Sequence, residues 1–94
     1  MADWTPPQTE IEEFLAGIWA DVLALDAEGD RPAVGIHARF LDLGGDSITA
    51  TQIVSRIRHS LEIEMSLIEM FDLPTIAEQA ELIEKLILIS ELSL

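Results

Sequence analysis

The sequence contains no cysteine. That absence removes disulfides, thiolate metal sites and any protein-borne thiol nucleophile. Basic residues are scarce: five Lys and Arg stand against eighteen Asp and Glu, a formal net charge of -13 at pH 7. Nucleic acid is held through Lys and Arg with release of counterions, so this balance excludes nucleic acid and anionic membrane as partners. Long apolar runs are missing as well. No run is longer than Leu86 to Ile89, which falls far short of the roughly 20 residues a membrane-spanning helix needs. The stretch Met1 to Glu10 is polar, carries Asp3 and shows no secretory signal, so the expectation is a cytoplasmic protein. With two histidines in the whole chain, general acid–base chemistry near neutral pH has only His37 and His59 to draw on.

What is present suits one small domain. Of 94 residues, 49% are apolar, enough for a single core without metal or cross-links. Met1 to Gln8 contains Pro6 and Pro7 and reads as an arm or linker, residues 1–8. Thr9-x-x-Glu12 forms a capping box. Behind it Ile11, Phe14, Leu15, Ile18, Val22 and Leu25 recur at helical spacing, with Trp19 and Leu23 widening the stripe. The spacing predicts a helix over residues 9–25. Asp26 to Asp46 has no sustained period, yet Val34, Ile36, Phe40, Leu41 and Leu43 can pin it to a core, with a helical turn near His37 to Leu41. A second helix follows Asp46-Ser47, with Ala50, Ile53, Val54, Ile57 and Leu61 on one face. Ser66 to Phe71 reads as a brief helix closed by Pro74, with Leu67, Met70 and Phe71 inward and Ile68 outward. Thr75-x-x-Glu78, a further capping box, opens a last helix to about Ile89, striped by Ile76, Ala80, Ile83 and Ile87. The fold class is all-α: a small four-helix bundle of three longer helices and one short one, spanning residues 9–89 and followed by a tail, 90–94.

Chemistry has few places to sit. His37 falls in the long loop and His59 beside Arg58 late in the second helix; both read as surface or capping residues. Asp26-x-Glu28-x-Asp30 has the look of a calcium loop, but position six is Arg31 and position twelve His37, where an EF-hand needs Gly and Glu. No metal site and no catalytic residue are assigned. What remains is Leu43-Gly44-Gly45-Asp46-Ser47-Ile48. Two glycines permit a turn, and Ser47 or Asp46 is an N-cap candidate. A helix N-terminus also favours a phosphate attached there.

The chain here resembles the phosphopantetheine-binding carrier family. The likeness runs over about residues 9–89. It includes Ile18-Trp19 and Val22-Leu23, Val34-Gly35-Ile36-His37, Phe40, and the serine motif. It continues through Gln52-Ile53-Val54-Ser55-Arg56-Ile57-Arg58, Leu67, Phe71, Pro74-Thr75 and Ala77-Glu78. The resemblance implies that Ser47 accepts 4'-phosphopantetheine from coenzyme A, by the action of a phosphopantetheinyl transferase with magnesium. Leu-Gly-Gly before Asp-Ser, with Arg56 and Arg58 in the following helix, is similar to peptidyl carriers of nonribosomal peptide synthetases. Leu41 stands where many relatives have a second aromatic. Asp46, where histidine is common, resembles carriers that work with epimerisation domains.

The likeness therefore implies a non-catalytic, monomeric carrier that tethers an aminoacyl or peptidyl group as a thioester. Its partners would be an adenylation domain and a condensation, epimerisation or other tailoring domain. Partner contacts are expected at Ile48, Thr51, Gln52 and Ile68, around the serine. Seven acids and no Lys or Arg lie between Ser60 and Glu84; this is a solubilising face or one that steers toward basic patches on partners. Two other readings stay open: an acyl carrier for polyketide or fatty-acyl groups, which the acidic charge favours, and a helical adaptor with no prosthetic group.

Overall fold

A computed structural model describes residues 5–25 and 34–92. The rejected calcium-type cluster, Asp26 to Asp30, lies outside them. Four helices appear in chain order: α1 (Glu10–Val22), α2 (Ser47–Leu61), α3 (Leu67–Asp72) and α4 (Ile76–Leu92), with a 3-10 turn at Leu41–Leu43. No strand occurs among the described residues. Helix α1 packs against α2 and α4, and α3 leans on α2.

Each helix begins where a side chain can satisfy orphan backbone N–H groups. Thr9 Oγ1 accepts the Glu12 N–H at 3.1 Å, and the Glu12 carboxylate accepts from the Thr9 N–H, closing the expected capping box. Ser66 and Glu69 do the same for α3, a box the sequence carried unread. At α4 the Glu78 N–H reaches Thr75 Oγ1, but the Glu78 carboxylate accepts from the Thr75 hydroxyl and not from a backbone N–H. Helix α1 ends at Val22, not at residue 25. Ala24, at φ 55, turns the chain there, and the Leu25 N–H returns to the Ala20 carbonyl. Helix α4 runs three residues past Ile89, to Leu92.

Leu15, Trp19, Phe40, Ile53, Ile57, Met65, Met70, Ile76 and Ile83 form the fully buried centre. Trp19 and Phe40 meet edge to face with ring centroids 5.4 Å apart. The long connection is stitched to the bundle by backbone. Ile36 N–H donates to the Thr5 carbonyl, Phe40 N–H to that of Pro74, and Ala77 N–H to that of Ile36.

Three expectations from spacing are corrected. The turn lies at Leu41–Leu43 and not at His37 to Leu41. Leu41 does not pin the loop; it is 62% exposed, because Phe40 takes the inward position. In α3 only Met70 is buried, while Leu67 and Phe71 stay 40% and 39% exposed. A helix of six residues presents less than two full turns, so one residue fills the contact and its neighbours sit at the rim. Gln79, polar and unremarked in the sequence, is fully buried. Its Nε2 donates to the Leu73 carbonyl at 2.8 Å and approaches Met70 Sδ at 3.3 Å, tying α4 to the end of α3.

Candidate functional site

The site grows out of the turn ahead of α2. The 3-10 turn closes with Gly44 at φ 93, a left-handed conformation that disfavours any residue with a Cβ. Gly45 is required for a different reason. A Cβ built there would stand 2.4 to 2.6 Å from the Phe40 ring, inside any tolerable contact. Gly45 N–H also donates to the Phe40 carbonyl at 3.1 Å. The two glycines thus let the chain reverse across the face of one buried aromatic ring and emerge at the start of a helix.

Asp46 is the N-cap of α2, which resolves the choice between it and Ser47. Its carboxylate accepts the Thr49 N–H at 2.9 Å, and Thr49 Oγ1 in turn accepts the Asp46 N–H at 2.8 Å. The backbone hydrogen bond from Thr49, then that residue's hydroxyl, and last the Ile48 N–H hold the carboxyl below its usual value, against an opposing effect of desolvation. Because Asp46 and the Thr49 hydroxyl form the box, a search for Ser or Thr followed by Glu passes over it.

Ser47 is the first residue of α2 and is exposed. Its carbonyl accepts from the Thr51 hydroxyl at 2.8 Å, while its own hydroxyl makes no hydrogen bond among the described residues. A serine so placed fits covalent attachment of a phosphate-linked arm: the hydroxyl is reachable and serves no structural role there. The terminus is less open to phosphate than a bare helix end, since Asp46 already takes the Thr49 N–H. Ile48 and Ile68 are 70% and 71% exposed, as expected, and Thr51 and Gln52 also face solvent. Phe71, half out of the core, stacks edge to face on Phe40 at 6.2 Å, so α3 and the glycine turn share that ring.

Other chemistry is not assembled. His37 and His59 are both exposed. No group of His, Asp and Glu among the described residues could hold a metal ion, and none of the described helices is long and apolar enough to cross a membrane.

With this geometry in place, comparison with known proteins gives the class. Residues 13–83 match the family described as phosphopantetheine attachment site, and the chain belongs to that family. Within it the likeness is to peptidyl carrier domains of nonribosomal peptide synthetases. The dimodular nonribosomal peptide synthase of Bacillus subtilis (strain 168) is 45% identical over 78 residues, which is 83% of this chain and 3% of that protein. In a docking-domain complex of the Pax synthetase, PaxA T1-CDD with PaxB NDD, a chain 32% identical superposes with a TM-score of 0.82, over 96% of this chain and 81% of that one. A complex of the phosphopantetheine transferase Sfp with coenzyme A and a peptidyl carrier protein gives 0.78 at 26% identity, over 87% of this chain and 99% of that one. The chain spans about 1–3% of the length of the synthases it matches. The group implied by the family is 4'-phosphopantetheine.

Proposed function

We propose that Ser47 carries the 4'-phosphopantetheine arm. The chain then presents an aminoacyl or peptidyl load to partner enzymes in nonribosomal peptide synthesis in the cytoplasm, catalysing no step itself. One observation carries the assignment: in a chain of this family, Ser47 stands exposed at the first position of α2 with an uncommitted hydroxyl. When bound, the group supplies a thiol on a flexible arm, which holds the load as a thioester. The residues of the chain do the rest. Gly44, Gly45 and Asp46 set the serine at the helix mouth. Asp46 and Thr49 fix the first turn, so a transferase meets the hydroxyl on a rigid element. Ile48 beside it and Ile68 on α3 offer exposed apolar contact, the kind of surface that interfaces bury. Thr51 and Gln52 supply polar rim.

The partners proposed are a phosphopantetheinyl transferase, an adenylation domain and a condensation, epimerisation or other tailoring domain. Tethering raises the load's effective concentration before them to about the millimolar range.

Intact-protein mass before and after treatment with a permissive transferase and coenzyme A tests this. The wild type should gain one phosphopantetheinyl mass and Ser47→Ala none; equal modification of the variant would sink the assignment. Because Asp46 and not Ser47 caps α2, the alanine variant should keep its stability within about 0.5 kcal/mol.

A further inference from the structure

Helix α2 borders a groove of mixed polar and apolar lining that starts one turn beyond Ser47. Its volume is about 510 Å³, and its walls come from α2 and the segment leading to α3. Thr51, Ser55 and Arg58 line it from α2, with Glu62 just past the helix end; they repeat at three- and four-residue spacing from Ser47, so they share its side of the helix, and Val54 and His59 of α2 line it as well. Ile63 and Leu67 add apolar surface, and Glu64 adds a second carboxylate. The single salt bridge among the described residues joins Arg56 to Asp21, so Glu62, Glu64 and Arg58 are in none.

Reach decides what the groove can hold. From the serine oxygen to the thiol, a phosphopantetheine arm is about fourteen bonds, and at the extension of a peptide chain it spans about 16 Å. Along α2, at about 1.5 Å per residue, 16 Å from Ser47 is the level of Arg58. An arm laid along the Ser47 side of α2 would pass the Thr51 and Ser55 hydroxyls, which can meet its amides. Its load would arrive among Arg58, His59, Glu62 and Glu64. The two signs of charge there match an aminoacyl thioester, whose carbonyl accepts hydrogen bonds and whose α-ammonium is positive. An acyl load without the amine has no partner for the carboxylates.

We propose that this groove is a resting site for the arm and an aminoacyl load, in which Glu62 and Glu64 receive the load's ammonium. The inference rests on the assignment of the arm to Ser47. An exposed ion pair shifts such an equilibrium by up to about fivefold, so the rested state exchanges readily and leaves the load free for partners.

The test uses the whole chain, loaded by transferase and followed by intact mass and amide NMR. Two stable, amide-linked loads are compared: valyl, and isovaleryl, which has the same shape without the amine. Addition of the arm alone should move amide signals from Thr51 to Leu67, not only those beside Ser47. The valyl load should move Glu62 to Glu64 more than isovaleryl does, by up to about fivefold in bound fraction. The excess should shrink in salt. In Glu62→Gln/Glu64→Gln, which keeps side-chain size, the excess should vanish while the unfolding midpoint holds. If mass is gained but shifts stop near Ser47, or the two loads behave alike, the groove assignment is overturned and the Ser47 assignment stands. If no mass is gained, both fall.

Discussion

Phe40 and Gly45 form a fitted pair, and each constrains what the other position can be. A methyl at Gly45 would need to occupy space held by the Phe40 ring, which is itself trapped between Trp19 and Phe71. Gly45→Ala should therefore cost about 1–3 kcal/mol, as overpacking does. Phe40→Ala should cost about 3–5 kcal/mol, a large part of a small domain's stability. Combining the two should cost less than the sum, because the smaller side chain leaves room for the methyl; strict additivity in denaturant unfolding would show that the clash is relieved elsewhere. Asp46 carries a pH dependence. Its folded-state carboxyl lies below the usual value near 3.8, so the cap's ionic contribution is complete above that value and is lost as pH falls through the folded one. Asp46→Asn keeps a capping oxygen without the titration. Unfolding midpoints of the two proteins should separate above the usual carboxylate range and draw together as pH falls through the lowered folded-state value; parallel curves would remove the cap from the acid response. The motif's outline was legible in the sequence, but the reason for its second glycine was not. That reason is a ring five positions earlier in the chain, and no local rule gives its direction.

At the scale of elements, helix endings hold unused stability. Helix α2 closes with Glu62 at φ 54, in the left-handed region, where a residue with a Cβ is disfavoured by roughly 1–2 kcal/mol. Glu62→Gly should raise stability by up to about 1 kcal/mol, after the added freedom of the unfolded chain is offset. A fall in the thermal midpoint would mean that the glutamate side chain contributes more than its backbone costs. Helices α1, α2 and α4 were readable because each runs long enough for a stripe to repeat: Ala50, Ile53, Val54 and Ile57 are all buried, as their spacing requires. Helix α3 was readable in place but not in orientation, since six residues give Leu67, Met70 and Phe71 no second turn to choose between them. Gln79 shows the other limit. Its burial depends on the Leu73 carbonyl, which reaches it only because Pro74 and Thr75 turn the chain back between α3 and α4.

Across the whole molecule, exposed apolar side chains come from separate segments: Leu41 from the turn, Ile48 from α2, and Ile68 from α3. Ile48→Ala and Ile68→Ala should each leave unfolding within about 1 kcal/mol of wild type, against about 2–5 kcal/mol for a buried isoleucine. Transfer of a loaded substrate to a cognate condensation-type domain should fall in both. Easy unfolding with normal transfer by the folded fraction would return that residue to the core. These segments do not move independently. The Phe40 ring backs the glycine turn and meets Phe71 of α3, and the Phe40 backbone N–H is bonded to the Pro74 carbonyl just past that helix. Any partner that presses on α3 thus leans, through one ring, on the ground from which Ser47 rises. A fluorine label on that ring would report contact at either side as one signal, from a position that no partner touches.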